Sequence, residues 1–251
     1  MSLLNKKDRP YEVLILGGGS LVPAKNVLKY NTNVDNVEID QKLVEYTSSD
    51  PYFTNYNDNS FSNPRLKIYY QDAYTYLRSN TKKYDLVIMS LPGFSNEKTI
   101  ELGSSEFFTF LNRSLEDDGI VVTWSYGDID GDYTYPPNIT VPPTVDTSYL
   151  RPLFRDIRDG GFISYAKYFS LVKVNGMPTN GLSFDRYYPG DSLYLFQKSN
   201  IDKQPDFNSS DYMQAVKLYF RKLKWQTFDH LNLSEIRPNH IFSPNYEIMT
   251  Q

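Results

Sequence analysis

The chain contains no cysteine, which excludes disulfide frameworks, thiolate nucleophiles and thiolate-bound metals. Histidine is almost absent. Only His230 and His240 occur, and neither stands at metal-ligand or nucleophile-elbow spacing, so both read as solvated or structural side chains. Positive charge is not in excess: 26 Lys and Arg against 30 Asp and Glu leave a formal net charge of -4, with no electrostatic pull on a phosphate backbone, and nucleic acid is not an expected partner. No stretch approaches the roughly 18 consecutive apolar residues that cross a bilayer. The polar start Asn5-Lys6-Lys7-Asp8-Arg9-Pro10 leads into no secretory core, so this chain is expected to be cytoplasmic, without membrane insertion of its own. The sequons at Asn112, Asn138, Asn208 and Asn232 carry no weight without a signal peptide.

What is present is 251 residues at 40% hydrophobic, enough for one large domain with at most a small appendage. Tyr11 to Leu16 is a short apolar run halted by Gly17-Gly18-Gly19, a buried strand entering a tight turn. A helix is predicted next, with Ser20 as its N-cap, Pro23 in the first turn, and Ala24, Val27 and Leu28 on one face. Val34 to Ile39 reads as a second strand, Gln41 to Thr47 as a helix, and the Asn-, Asp- and Ser-rich tract from Ser48 to Pro64 as a long connection. A third strand (Arg65 to Tyr70), a short helix (Ala73 to Arg78) and a fourth strand (Tyr84 to Met89) follow. Ser104 to Leu115 is helical, Asp117-Asp118-Gly119 ends it, and Ile120 to Trp124 is a fifth strand.

Strands separated by helices require parallel pairing, because a parallel strand needs a long crossover. The expected fold is therefore an α/β, doubly wound, mostly parallel Rossmann-like sheet. Tyr126 to Pro143 is a long loop rich in Asp, Tyr and Pro, of a length that is usually functional or disordered. An amphipathic helix carrying Leu150, Leu153, Phe154 and Ile157 closes at Gly160-Gly161. Phe162 to Val174 and Asp191 to Gln197 then form a C-terminal antiparallel pair, and Ser209 to Leu223 a last helix. Residues 1–200 are expected to be one domain, and 201–251 a helical and irregular extension packed on it.

In open α/β sheets ligands lie beyond the carboxyl ends of the strands, where strand order reverses. Gly17, Gly18 and Gly19 let a ligand approach the backbone closely, although Val22 occupies the position of the third glycine of the dinucleotide fingerprint, which disfavours a dehydrogenase. Glu38 ends the second strand, where a carboxylate can accept both hydroxyls of a ribose. Asp72, in Gln71-Asp72-Ala73, occupies the matching tip of the third strand, within reach of an exocyclic amine. Leu91 and Pro92 after the fourth strand suit an apolar wall. Together these describe an adenosyl pocket.

The strings Val13-Leu14-Ile15-Leu16-Gly17-Gly18-Gly19, Val37-Glu38-Ile39-Asp40, Asn63-Pro64-Arg65-Leu66-Lys67 with Gln71-Asp72-Ala73, and Tyr84-Asp85-Leu86-Val87-Ile88 resemble spermidine synthase and its relatives, in the S-adenosylmethionine-dependent methyltransferase superfamily. The likeness covers roughly residues 10 to 200. It implies a class I methyltransferase type sheet of about seven strands and S-adenosylmethionine, or its decarboxylated form, as cofactor. It further implies Gly17 to Gly19 against that cofactor, Glu38 on its ribose, Asp72 on its adenine amine with Ala73, Ser90 and Leu91 nearby, a small-molecule amine as acceptor, and room for a homodimer. The long insert before Asn63 and the Leu91-Pro92 pair look most like bacterial and archaeal members joined to a membrane-spanning region. The family's N-terminal β lobe is missing and Met1-Ser2-Leu3 reads as an added leader, so an excised domain of a membrane-attached parent is expected.

Departures from the family bear on activity. Ser20-Leu21 follows the glycines where the family has Asp-Gly, and Ser90 and Gly93 stand where it has two acids, one of them the base for the attacking amine. An amine substrate loses binding energy and its base without them. Asp128, Asp130 and Asp132, with Tyr126 and Tyr133 for cation–π contact, could supply an acidic lid, or could be an ordinary solvated loop. Two readings stand: an aminopropyl or methyl transferase, or a nucleoside-binding regulatory module that has lost catalysis.

Overall fold

The structure, a computed structural model, describes residues 1, 3–92, 99–126, 129, 150–175, 185–203 and 224–245. Gly93, the lid residues Asp128, Asp130, Asp132 and Tyr133, the side chain of Tyr126, the turn at Asn180-Gly181 and the helix expected at Ser209–Leu223 lie outside what is described.

One eight-stranded sheet has the order β3-β2-β1-β4-β5-β7-β6-β8. The strands β1 (Tyr11–Gly17), β2 (Thr32–Glu38), β3 (Leu66–Tyr70), β4 (Tyr84–Ser90) and β5 (Leu115–Tyr126) pair in parallel. β6 (Ser164–Asn175), β7 (Asp185–Gln197) and β8 (Trp225–Thr227) continue the sheet antiparallel. The doubly wound α/β architecture with an antiparallel C-terminal part is thus the observed fold. β8, a short eighth strand in a stretch that reads as irregular, lines up against β6.

Side-chain alternation along β1 shows why the sheet is covered on both faces. Val13 and Ile15 pack with Ala24, Val27 and Leu28 of α1 (Val22–Leu28), whereas Leu14 and Leu16 pack with Ala73, Tyr76 and Leu77 of α4 (Ala73–Ser79) and with α5 (Ser105–Arg113). All four β1 residues are fully buried, as a continuous apolar strand between two helical layers must be. α6 (Leu150–Asp159) belongs to the second layer. Its Phe154 meets Tyr165, Tyr194 and Phe196 edge-on at 5.1, 5.0 and 5.5 Å between ring centroids.

Three local expectations are corrected. The tract after α2 (Gln41–Ser49) holds a helix, α3 (Pro51–Tyr56), and a 3₁₀ turn at Ser60–Ser62. Polar composition hid them, and the Asp50 side chain caps α3 by accepting from the N–H groups of Tyr52 and Phe53. Asp117-Asp118-Gly119 does not end α5, which stops at Arg113. The chain is already in β5 at Leu115, and the register of β5 against β4 shifts between Tyr84 and Leu86. Its acids have partners in the N-terminal segment, since Lys7 pairs with Asp118 and Arg9 with Glu116. Ser20 does not cap α1; Leu21 takes that position in the left-handed region (φ 62°) with its side chain fully buried.

Candidate functional site

β1 is flanked by β2 on one side and β4 on the other, so strand order reverses between β1 and β4. That crevice is where ligands enter such sheets. Gly17, the last residue of β1, sits in register with Ser90, the last of β4. A Cβ on Gly17 would lie 2.4 Å from the Ser90 carbonyl oxygen, and its φ is +79°. Only glycine admits so close a crossing in this conformation. Ser90 and Leu91 therefore adjoin the glycine turn, with Leu91 half-buried against the main core and Pro92 exposed.

Glu38 is 8% exposed, and its carboxylate faces the same turn: Oε2 lies 3.0 Å from where a Gly19 Cβ would stand. Its Oε1 accepts the Asp40 N–H at 3.0 Å, which anchors the carboxylate. Asp40 itself is taken up as the N-cap of α2, accepting the Leu43 N–H at 3.0 Å. At the next strand tip the Gln71 N–H donates to the Glu38 carbonyl at 3.2 Å, so Asp72 follows directly beside Glu38. Asp72 caps α4 by accepting the Thr75 N–H at 2.7 Å through Oδ1, and Ala73 behind it is buried in the core. The glycine turn, Glu38, Asp72, Ala73, Ser90 and Leu91 all lie along one edge of the sheet.

The turn is held from behind by residues that the sequence does not flag. The carbonyl oxygens of Gly17, Gly19, Ser20 and Leu21 accept from Asn36 Nδ2 (2.8 Å), Thr47 Oγ1 (2.7 Å), Asn57 Nδ2 (3.3 Å) and Ser60 Oγ (3.2 Å). The Gly18 carbonyl accepts the Leu21 N–H at 2.8 Å. Among the described residues nothing accepts from the N–H groups of Gly18, Gly19 or Ser20. Thr47 ends a helix and Asn57 and Ser60 sit in a tract whose composition resembles any loop, so only the fold reveals their role.

Glu101 is a second residue missed by sequence. It follows the loop after β4, and its carboxyl is pushed up, first by burial and then by the charge of Asp72. His230 and His240 are structural, bonded to Tyr165 (3.1 Å) and Glu106 (3.2 Å). Among the described residues no cluster of His, Asp and Glu could hold a metal ion, and no helix is long and apolar enough to cross a membrane.

Known proteins resemble this chain in sequence and in fold. A family model described as a spermine/spermidine synthase domain matches residues 2–129. A polyamine aminopropyltransferase from Pyrobaculum calidifontis is 37% identical over 120 residues, covering 45% of this chain and 41% of the relative. A spermidine synthase crystallised with the transition-state analogue AdoDATO superposes with a TM-score of 0.57 at 20% identity, covering 94% of this chain and 68% of the other. A SAM-dependent methyltransferase from Agrobacterium tumefaciens has a TM-score of 0.54 at 14% identity, covering 77% and 57%. The chain spans 28% to 41% of the length of the first curated relatives it matches.

Proposed function

Because the chain belongs to the spermine/spermidine synthase family, we propose that its crevice binds an S-adenosyl compound and passes an aminopropyl group from it to a small amine. The observation that carries the reading is the Glu38 carboxylate. It is buried, anchored, turned onto Gly19, and set at the tip of β2, the neighbour of β1, beyond which the strand order reverses. That is a position from which two ribose hydroxyls can be accepted.

The residues fit the compound. Glycine at 17 lets β1 end close against the Ser90 carbonyl, and glycine at 19 lets the Glu38 carboxylate and the Leu43 side chain close on the turn. Asp72 has its Oδ1 on the helix cap, and a carboxylate holds lone pairs enough to accept an adenine amine as well. Leu91, in contact range of the turn, supplies apolar wall. When bound, the decarboxylated compound would supply a carbon activated by a sulfonium, open to displacement by an amine lone pair with the thioether methylthioadenosine as leaving group and the amine proton passing to solvent. In this step the chain's own residues bind, orient and exclude water, which suits a displacement that depends mainly on positioning.

A second reading is favoured by Ser90. It ends β4 beside the turn with a hydroxyl where a carboxylate would serve as base, and a domain that retains the nucleoside grip without turnover would look the same. Calorimetry decides between them. Tighter binding of decarboxylated S-adenosylmethionine than of the carboxylated form, with production of an aminopropylated amine, supports transfer. Binding with no turnover of any amine supports the regulatory reading. Glu38→Ala should weaken S-adenosylmethionine, its decarboxylated form and methylthioadenosine alike, and unchanged affinity for all three would discard both.

A further inference from the structure

The carbonyls from Gly17 to Leu21 all accept hydrogen bonds, that of Gly18 from the Leu21 N–H inside the turn and the other four from side chains behind it. Three of the donors come from one short tract: Thr47 at the end of α2, Asn57 after α3, and Ser60 in the 3₁₀ turn. These donors are 1%, 1% and 4% exposed. Asn57 Nδ2 also donates to the Thr47 carbonyl at 3.0 Å, so the three form one connected support. A trans peptide is planar, and its C=O and N–H point in opposite directions. Fixing the carbonyl of Gly17 inward therefore turns the Gly18 N–H outward, and fixing that of Gly19 does the same for Ser20.

From this geometry we infer that Thr47, Asn57 and Ser60 are positioning residues for the S-adenosyl compound, acting through the backbone of the glycine turn. The inference rests on the adenosyl reading above. The tract between α2 and β3 is a brace that orients the turn's peptide planes toward the crevice. It holds the peptide of Gly19 where the Glu38 carboxylate can work beside it. None of the three side chains needs to touch the ligand.

The test compares Thr47→Val, which keeps shape and removes the hydroxyl, with Thr47→Ser, which keeps the hydroxyl. Calorimetry with methylthioadenosine and S-adenosylmethionine reads affinity, thermal melting reads stability, and amide exchange reads the Gly18 and Ser20 N–H groups. We expect about tenfold weaker binding in Thr47→Val, as for the loss of one well-formed hydrogen bond, with affinity restored in Thr47→Ser and altered exchange confined to the turn. Ser60→Ala should repeat the effect from the Leu21 carbonyl, and decides the matter if Thr47→Val does not fold. Unchanged affinity and exchange in the folded variants, with only a lower melting temperature, would reduce the brace to ordinary packing. That result is distinct from failure of the underlying reading, in which the unmodified protein binds neither compound, or Glu38→Ala binds both as well as before, and the inference falls with it.

Discussion

Asp85 and Asp156 are both fully buried carboxyls, at 1% and 0% exposed, yet their surroundings drive them in opposite directions. Burial alone would push Asp85 up. The Arg9 guanidinium at 2.7 and 3.0 Å, the Lys7 ammonium at 2.5 Å and the Glu12 N–H at 2.8 Å outweigh it and hold the carboxyl below its usual range. Its folded value lies below its unfolded one, so its contribution is present above about pH 4 and lost as pH falls further. Asp85→Ala should cost about 1–3 kcal/mol by removing the shared acceptor of Lys7, Arg9 and the Glu12 N–H, seen as a lower urea midpoint at pH 7.

Among the described residues no cation is bonded to Asp156. Burial pushes it up to about 7, with the neighbouring Asp159 adding to the rise and the Ser105 hydroxyl, the Asn239 N–H and Arg155 only partly opposing it. Its Oδ2 is buried and has no hydrogen-bond partner among the described residues. Here the folded value exceeds the unfolded one, so the stabilising contribution is complete below about pH 4 and disappears as pH rises toward 7, a change of at most roughly 4 kcal/mol. Asp156→Asn should flatten the decline in unfolding free energy between pH 5 and pH 8. An unchanged slope would show that the carboxyl is solvated in the folded protein.

At the level of elements, the glycine turn is where strand ends and ligand geometry compete for the same backbone. Gly17→Ala would place a methyl 2.4 Å from a backbone oxygen of β4 in a left-handed conformation, which cannot be relieved by rotating a side chain. The expected loss is about 2 kcal/mol or more, together with weakened nucleoside binding, because β1 and β4 must separate at the very residues that line the crevice. A variant with wild-type melting temperature and affinity would show that the strands tolerate the methyl. The periodic elements β1, β4 and most of α5 are legible in sequence because their apolar positions follow one period. α3 is not, because it buries no residue completely and its Pro, Thr, Asn and Tyr content matches that of a loop. The start of β5 is obscured because Glu116, Asp117 and Asp118 look like a turn, whereas Glu116 and Asp118 pair with Arg9 and Lys7 over a hundred positions earlier and Asp117 with Lys198.

Over the whole molecule, two apolar layers on opposite faces of one sheet make the body, and aromatic side chains join its halves. Phe154 of α6 touches rings from β6 and β7 and, at 6.1 Å, Phe228 of the C-terminal segment. That segment is further stitched to the second layer, where Asn239 donates to the Ile100 carbonyl at 2.8 Å and the Ser105 N–H donates to the Asn239 carbonyl at 3.0 Å. Phe154→Ala should cost about 3–5 kcal/mol, or roughly 10 °C in melting temperature at this size. It should also loosen residues 228–245 in hydrogen exchange. If those amides stay protected, the C-terminal segment is held by its hydrogen bonds alone.

Composition and periodicity by themselves determined that this chain folds as a doubly wound α/β sheet, that its glycine turn and Glu38 sit at neighbouring strand ends, and that no thiol chemistry is open to it. Those features depend on local repeats and on the absence of residue types, both of which are written along the chain. Tertiary structure alone decided which way the Glu38 carboxylate faces, that Asp40 and Asp72 each spend an oxygen on a helix cap, and that Thr47, Asn57 and Ser60 hold the turn. Each of these depends on groups brought together across 2 to 39 positions of chain, and such a hydrogen bond leaves no period in the sequence to reveal it.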